Sequence, residues 1–378
     1  MAMNDRFRKS KILYVFDAGD AASRIPVARQ AQADGHDVTL LLLGKSVKHS
    51  GDFRVIFLEP PEGKLTPKGL LYMVAQIRSI ITAQQPDLVH AVTLKYAFIC
   101  GLAEMAFPDL KKIYTLAGLG YLFRDNEGKA KLLRAALSPF LKLILKNRRA
   151  WVIFQNPDDQ KLMTDMGYTV PERSVLIRGS GVDLQKFSFT SEPKTDTPIV
   201  LMPTRLVRDK GISVFIEAAR LLKLRGSNAV FQIAGGVTQH NPKAISESEM
   251  KALVQDGSAQ WLGRVDDMPA LLSGASMVVY PSYYGEGIPR VLLEACAAGR
   301  AIVTTDHPGC REAVRDGENG ILVPAKDVEA TAKAIEKILQ DPALRLSMGA
   351  RSRTLAEERF DIRLIAQQTC DLYKQILK

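Results

Sequence analysis

Paired cysteines, long apolar runs and a glycine-rich dinucleotide motif are all missing from this 378-residue chain. Its four cysteines are scattered and form no C-x-x-C pair, which argues against a disulfide framework and against a zinc site. No stretch approaches the roughly 18 apolar residues of a membrane-spanning helix. The first apolar run, "ILYVF", is too short for a signal peptide and predicts a buried strand. The turn after it, "DAGDAASR", has one glycine, which excludes the G-x-G-x-x-G of a nicotinamide-dependent oxidoreductase.

Acidic residues are scarce in the first half of the chain. The net charge is +10, and residues 1–190 carry 27 Lys and Arg against 18 Asp and Glu. Such a surface attracts nucleic acid, an anionic membrane or a phosphorylated ligand. Aromatic residues do not interleave with the basic cluster as a stacking platform would, so we expect no nucleic acid partner.

Short apolar runs alternate with helical patterns along the whole chain, which predicts an α/β protein with parallel sheets. The strand candidates are 11–16, 37–43, 53–58, 87–92, 111–116, 151–155, 174–179, 198–204, 229–236, 259–263, 276–282, 301–305 and 320–324. We expect two doubly wound, Rossmann-like domains, 1–187 and 188–360, facing a cleft. The aperiodic segment 187–198 is the expected linker. A C-terminal helix from about 343 to 378 is expected to return to the first domain through its last part, about 360–378.

Two cations follow the first strand of the second half. Arg205 and Lys210 in "TRLVRDKG" can clamp a diphosphate, or they are solvated surface cations. Gly235, at the next strand end, either admits a ligand closely or makes a plain turn. Arg264 and Val265 either offer groups to a base or belong to an ordinary loop before a helix capped by Asp267.

The stretch "GEGIPRVLLEACAAG" (285–299) holds two glutamates eight residues apart. Gly287, Ile288 and Pro289 lead into a predicted helix whose first N–H groups can meet a phosphate. Glu286 in the loop can reach hydroxyls of whatever carries that phosphate. Glu294, among apolar helix residues, can accept from two vicinal hydroxyls such as those of a ribose. The alternative is a capping carboxylate and a surface glutamate.

The pattern formed by Arg205, Lys210, the two glutamates and the later "GCRE" (309–312) resembles the retaining GT-B glycosyltransferases of glycosyltransferase family 4. The resemblance spans about 199–342. It implies that Glu286 binds donor-sugar hydroxyls, that Glu294 binds the nucleotide ribose, and that Arg205 and Lys210 hold the diphosphate. Glu286, Arg205 and Lys210 are the expected catalytic residues.

The first half is similar to a subgroup that makes bacterial surface polysaccharides, through "TLAGLGYLF" (115–123), "FQNPDD" (154–159) and "GSGVDLQKF" (179–187). Many family members have a histidine after the fifth strand, where this chain has Ala117. His90, near another strand end, is either an acceptor-side group or a buried structural histidine. Gly19 and Gly118 are further acceptor-side candidates.

The resemblance implies a retaining, metal-independent hexosyltransferase with a UDP-sugar as donor substrate, no cofactor and a polyprenyl-diphosphate-linked sugar as acceptor. The sequence has no D-x-D, the carboxylate pair typical of metal-dependent nucleotide-sugar enzymes. Arg205, Lys210 and a helix N-terminus would stabilise the leaving group instead. The alternatives are a catalytically silent glycosyltransferase-like subunit and a GT-B UDP-sugar epimerase.

The segment "KAKLLRAALSPFLKLILKNRR" (129–149) holds seven cations and no acid. Lys131, Arg134, Lys142 and Lys146 recur at helical spacing, with a break expected at Pro139. The segment is either a domain helix with leucines in the core and solvated cations, or an interfacial segment attracted to anionic lipid. The second alternative predicts a cytoplasmic protein held peripherally on the inner face of the cytoplasmic membrane.

Overall fold

The computed structural model describes residues 9–44, 53–60, 66–124, 128–193, 195–238, 241 and 243–378. They form two compact units, one of Met1–Ser180 with Ile362–Lys378 and one of Gly181–Asp361.

The first unit is built on a seven-stranded parallel sheet with strand order β3-β2-β1-β4-β5-β6-β7. Its strands are β1 Lys11–Asp17, β2 Asp37–Leu43, β3 Arg54–Leu58, β4 Leu88–Val92, β5 Lys111–Leu116, β6 Ala150–Phe154 and β7 Ser174–Leu176. Its helices are α1 Ala21–Ala33, α2 Pro67–Gln84, α3 Leu94–Glu104, α4 Gly120–Arg124, α5 Gly128–Leu145, α6 Pro157–Asp165 and, from the end of the chain, α14 Ile362–Leu377. The order reverses between β1 and β4, which pair in parallel with Ile12 opposite Leu88.

The second unit repeats this topology with a six-stranded parallel sheet of order β10-β9-β8-β11-β12-β13. Its strands are β8 Ile199–Pro203, β9 Val230–Ala234, β10 Gln260–Trp261, β11 Met277–Tyr280, β12 Ala301–Thr305 and β13 Gly320–Val323. Its helices are α7 Ile212–Leu224, α8 Glu247–Leu253, α9 Met268–Ser273, α10 Arg290–Ala297, α11 Cys310–Ala313, α12 Val328–Gln340 and α13 Pro342–Arg359. The reversal lies between β8 and β11. All the strand candidates are thus confirmed, along with the α/β class.

The central strands are uniform apolar runs because helices cover both faces of each sheet. In the first unit, Leu13 and Val15 face a cluster that includes α2 and α3, whereas Tyr14 and Phe16 face one that includes α1 and α14. Alternate residues of each strand therefore supply two cores. Because the strands of the sheet run parallel, their carboxyl ends lie at one edge of it.

The division between the units differs from the expected one. Residues 181–187 belong to the second unit, because Val182 pairs with Asp361 and its side chain packs with that of Phe187 in the second core. The expected linker 187–198 also lies inside the second unit, apart from Lys194, which is outside the described residues. Glu192 pairs there with Arg345 at 2.9 Å.

The expected single C-terminal helix is wrong, since α13 ends at Arg359 and α14 begins at Ile362. Phe360 is buried in the second core and Asp361 pairs with Val182, so the chain leaves helical geometry before it crosses to the first unit. Helix α14 then packs on α1.

The break expected at Pro139 is also wrong, because α5 continues through it. Ala135 and Pro139 are both exposed, so the Ala135 carbonyl, which loses its helical donor, can be hydrated.

Candidate active site

The switch point of the second sheet gathers the main candidates. The loop after β8 carries Arg205 and a 3-10 turn Arg208–Lys210, and the loop after the neighbouring β11 carries Glu286. The two loops are joined where the Tyr283 N–H donates to the Asp209 carbonyl at 3.0 Å. Ligands of doubly wound sheets bind at such a point, outside the carboxyl ends of the strands.

Lys210 and Glu286 are in direct contact. The Lys210 Nζ lies 2.6 Å from Oε1 of Glu286, and the two side chains are 4% and 20% exposed. A nearly buried ammonium needs such a partner, because its desolvation would otherwise cost several kcal/mol. The structure therefore joins the predicted cation and the predicted loop carboxylate in one ion pair.

Tyr280, which the motifs did not single out, holds the same carboxylate. Its hydroxyl donates to Oε1 of Glu286 at 3.0 Å, and its buried ring lies 5.5 Å from the Lys210 Nζ. Burial, with the Glu286 charge adding to it, holds the pKa of Tyr280 well above its usual value, so the phenol stays a donor. The sequence feature that could have identified Tyr280 is its place at the end of a buried strand, six residues before the glutamate.

Buried hydroxyl groups of the neighbouring strand β12 hold the loop that carries Glu286. The hydroxyls of Thr304 and Thr305 donate to the carbonyls of Tyr280 and Ser282. Gly309 packs against the loop backbone, where a Cβ would overlap the carbonyl oxygens of Glu286 and Gly287. The Gly-x-Arg-Glu part of the motif thus includes a glycine that this packing requires.

Arg205 is exposed and makes no ion pair with a described residue. It lies near the pair formed by Lys210 and Glu286, as Tyr284 shows. The Tyr284 ring is 4.7 Å from the Lys210 Nζ, and burial and the Glu286 charge raise the pKa of Tyr284 while the Arg205 charge offsets part of this rise. An exposed guanidinium beside a buried ammonium can receive an anion from solvent.

Glu294 lies on α10, the helix that follows the loop. It is 8% exposed, and burial raises its pKa while Arg290, 3.5 Å away, partly offsets the rise. Pro289, expected as the first helical residue, is instead the N-cap of α10, which begins at Arg290, and no side chain caps this end. Ile288 is buried against the core. The charges of Arg290 and Lys186 both act against the effect of burial, and a buried carboxylate of this kind is suited to accept hydroxyl hydrogens.

The other donor-side candidates have structural roles of their own. A Cβ at Gly235 would overlap the Thr204 carbonyl, so the glycine is needed for packing whatever else it does. Arg264 pairs with Asp266 at 3.0 Å, with both side chains more than 80% exposed, and Val265 packs against the core. Asp267 caps α9 through Ala270 N–H, as in the ordinary-loop alternative. Ligand contacts by these residues remain predictions.

On the first unit, Gly19 and Gly118 follow β1 and β5 at the carboxyl edge of the sheet. Gly19 N–H donates to Asp17 Oδ1 at 2.9 Å. Gly118 has φ +106° in the turn before α4. Both glycines therefore lie where a ligand of this sheet is expected.

His90 lies inside β4 and not at its end. Its Nδ1 is 2.6 Å from the Tyr373 hydroxyl, its Nε2 is 2.7 Å from Thr115 Oγ1, and its ring stacks on Tyr14 at 4.8 Å. Burial lowers the pKa of His90 to about 3. Both nitrogens are engaged and the ring is 1% exposed, which supports the structural alternative over an acceptor-side role.

Helix α5 exposes both cations and leucines. Lys131, Lys142 and Lys146 are exposed, whereas Arg134 is half-buried and donates to the Leu122 carbonyl at 3.2 Å. Four apolar side chains are also exposed, Leu132 by 74%, Leu143 by 55%, Phe140 by 48% and Leu133 by 46%. The prediction that the leucines of this domain helix lie in the core is therefore confirmed only for the opposite face of α5. No helix in the described ranges is long and apolar enough to cross a membrane.

Known proteins share both the fold and the sequence pattern. Residues 183–355 match the family Glycosyl transferases group 1, and residues 11–156 match Glycosyl transferase 4-like. Sucrose-phosphate synthase from Thermosynechococcus elongatus aligns over 97% of this chain and 99% of its own, with a TM-score of 0.82 and 23% identity. HepE from Anabaena, solved in complex with UDP and glucose, aligns over 97% and 99%, with a TM-score of 0.77 and 20% identity.

These likenesses establish the class, since two Rossmann-like units of this topology form the GT-B fold of glycosyltransferases. A Campylobacter jejuni relative is 32% identical over 86% of this chain and 86% of its own length. It is named N,N'-diacetylbacillosaminyl-diphospho-undecaprenol alpha-1,3-N-acetylgalactosaminyltransferase. The chain belongs to the group 1, family 4-like glycosyltransferases, which confirms the resemblance inferred from the motifs.

Proposed function

We propose that the protein is a retaining, metal-independent glycosyltransferase of surface-polysaccharide or glycan assembly. It moves a hexose or N-acetylhexosamine from a UDP-sugar to a polyprenyl-diphosphate-linked sugar. The choice of UDP rests on the resemblance to the polysaccharide subgroup. The acceptor class is supported by the Campylobacter relative, whose name specifies a diphospho-undecaprenol-linked saccharide.

The observation that carries the proposal is the orientation of Glu286. Lys210 and Tyr280 both engage Oε1, while Oε2 has no hydrogen-bond partner among the described residues. One oxygen is thus fixed and the other is available to accept from sugar hydroxyls. A donor oriented in this way has its diphosphate near Arg205 and Lys210 and its ribose near Glu294.

The proposed reaction breaks the bond between the sugar C1 and the diphosphate oxygen. The acceptor hydroxyl forms the new bond to C1 on the same face, and its proton passes to the leaving phosphate oxygen. Arg205, Lys210 and the uncapped N-terminus of α10 stabilise the negative charge that develops on the diphosphate. In this proposal the two cations perform the charge stabilisation that a metal held by D-x-D carboxylates performs in other enzymes.

A lipid-linked acceptor requires the enzyme to meet a membrane surface. Helix α5 supports a peripheral site on the inner face of the cytoplasmic membrane, because exposed Leu132, Phe140 and Leu143 share a helix with exposed lysines. Apolar side chains that enter the interface and cations that attract anionic lipid act together in such helices.

The test is a mass-spectrometric screen of nucleotide sugars for hydrolysis and for transfer to a polyprenyl-diphosphate-linked N-acetylhexosamine, with and without EDTA. We expect UDP release, and NMR of the product should show the anomeric configuration of the donor. An inverted product, or activity that EDTA abolishes, contradicts the proposed mechanism. Absence of both hydrolysis and transfer with every nucleotide sugar contradicts the proposed function.

A further inference from the structure

The first unit has a cavity of about 190 Å³ at the carboxyl edge of its sheet. Residues at four strand ends line it. Asp17 ends β1, Leu43 ends β2, Glu59 follows β3, and Lys95 lies at the start of α3, shortly after β4. It includes the switch point between β1 and β4, which is where doubly wound sheets bind ligands. None of the candidate residues named from the sequence lines this cavity.

One carboxylate in this cavity is held in a single orientation. Asp17 Oδ1 accepts from the Gly19 N–H at 2.9 Å, and Oδ2 accepts from the Tyr96 hydroxyl at 2.8 Å. Each carboxylate oxygen has a second lone pair, so the group can still accept from a ligand. Preorganised acceptors of this kind lose little entropy when they bind hydroxyls.

The backbone beside this carboxylate is strained. Thr93 has φ +81° and ψ 151°, a region that β-branched residues rarely adopt. Its hydroxyl accepts from the Tyr96 N–H, and so it helps to place the ring that holds Asp17. Strain of this kind concentrates at functional sites.

The composition of the cavity selects a ligand class. Asp17 and Glu59 are acceptors, Lys95 is a donor, and Leu43, Met73 and Ile99 supply apolar contacts. Two carboxylates and one ammonium disfavour a phosphate. The volume is below the roughly 300 Å³ at which pockets for drug-sized ligands begin, so a whole nucleotide does not fit. A single neutral sugar ring offers hydroxyls to the polar groups and C–H faces to the apolar ones.

We propose that this cavity binds a neutral sugar ring of the acceptor, with Asp17 accepting from its hydroxyls and Lys95 donating to its ring or hydroxyl oxygens. That this sugar belongs to the acceptor rests on the proposed function. Binding of a saccharide in this cavity does not depend on the proposed function.

The test uses saturation-transfer NMR of the full-length protein, saturated with UDP, against a panel of methyl glycosides of hexoses and N-acetylhexosamines. We expect at least one glycoside to give signals with the wild type and to lose most of them with Asp17→Asn or Lys95→Ala. The control is Asp37→Asn, an exposed aspartate at the amino end of β2, which should keep the signals. Lys95 is exposed, so its variant separates lost binding from lost folding.

Transfer kinetics give the second measurement. Both variants should raise the KM for the lipid-linked acceptor by about tenfold to a hundredfold, the scale of one hydrogen bond to a charged group. Their UDP affinity and donor hydrolysis in the absence of acceptor should match the wild type. Glycoside signals unchanged in both variants, or no glycoside signal with the wild type, overturn the subsite. A wild type that neither binds UDP nor hydrolyses any nucleotide sugar overturns the proposed function instead.

Discussion

The Lys210 ammonium and the Glu286 carboxylate lie 2.6 Å apart at the switch point of the second sheet. The two residues come from different loops, 76 positions apart in the chain. Because Lys210 is nearly buried, the pair fixes both loops, and any change to one partner alters the other. The predicted phosphate clamp and the predicted sugar-binding carboxylate are therefore one coupled unit.

Tyr280→Phe should lower kcat without weakening UDP binding. The change removes the hydroxyl that donates to Glu286 Oε1 and keeps the ring beside Lys210. We expect a tenfold to hundredfold loss of kcat, since a hydrogen bond to a charged group contributes about 1.5–3 kcal/mol. Steady-state kinetics and calorimetric titration with UDP give the two readouts. Tyr283→Phe, which removes a hydroxyl bonded to the Arg208 carbonyl, is the matched control and should keep kcat. A kcat for Tyr280→Phe equal to the control's would show that Tyr280 does not orient Glu286.

Arg205→Ala and Lys210→Ala should each reduce transfer about a hundredfold or more, the scale of removing one charge-stabilising contact. Their stabilities should differ. Arg205 is exposed, so its loss should change the free energy of unfolding by less than about 0.5 kcal/mol. Loss of Lys210 leaves Glu286 without its cation and should cost about 1–3 kcal/mol, a buried-pair penalty reduced for the partial exposure of Glu286. Urea unfolding measures both, and a Lys210 variant as stable as the wild type would argue against the pair's structural role.

Glu294→Ala and Glu286→Ala should fail at different steps. Glu294 is assigned to the ribose, so its loss should weaken binding of UDP itself. Glu286 is assigned to the sugar, and its loss leaves the Lys210 ammonium free to pair with the diphosphate. The change should therefore spare UDP affinity and reduce turnover of the sugar nucleotide. Calorimetric titration of both variants with UDP decides this, and equal losses of affinity would reject the division of roles.

The sequence predicted the strands because every sheet is covered on both faces, which turns its strands into apolar runs between turn residues. It also predicted the loops that hold Lys210 and Glu286, since charged residues directly after buried strands lie at one edge of a parallel sheet. It could not predict the bend at Phe360, which depends on a bridge from Asp361 to Val182. Nor could it settle His90, because engagement of both ring nitrogens by Tyr373 and Thr115 depends on contacts distant in sequence.

A buried carboxyl group should make the first unit lose stability as the pH rises from about 4.5 to about 7. Burial raises the pKa of Glu104 to about 7, although the Tyr114 hydroxyl that donates to it and the Lys112 charge both lower it. The folded pKa exceeds the unfolded value near 4.5, so the folded state binds more protons between these values. Stability from this group is full below about pH 4.5 and declines until about pH 7. The decline is on the order of 3 kcal/mol at about 1.4 kcal/mol per pKa unit.

The measurement compares the free energy of unfolding of a Trp261→Phe parent with that of the same protein carrying Glu104→Gln. Trp151 is then the one tryptophan left and reports on the first unit. Urea unfolding at pH 5 and pH 8 should show the Gln variant gaining on the parent as pH rises. His90 acts in the opposite sense between about pH 3 and 6.5 and is common to both proteins, so it cancels in the difference. A difference that does not change with pH would show that Glu104 is not protonated in the folded state.

Membrane attachment should have two separable components on α5. Lys131, Lys142 and Lys146 should supply attraction to anionic lipid at about 1 kcal/mol each, and changing all three to Gln should weaken binding about a hundredfold. Leu132 and Leu143 should supply an apolar component that salt does not screen. Flotation with phosphatidylglycerol vesicles should recover the wild type. High salt should release most of the wild type and all of a Leu132→Ser, Leu143→Ser variant.

The matched control changes three exposed cations of the same unit outside α5, Arg29, Arg54 and Lys68, to Gln. It has the same net charge as the α5 variant, so a general effect of charge would reduce its flotation equally. We expect the control to float as the wild type does, and all variants to keep UDP affinity, because the UDP contacts proposed above belong to the second unit. Equal flotation of the control and the α5 variant would place the contact elsewhere. Full salt release of the wild type would reject the apolar component, because desolvation of Leu132 and Leu143 in the interface does not depend on ionic strength.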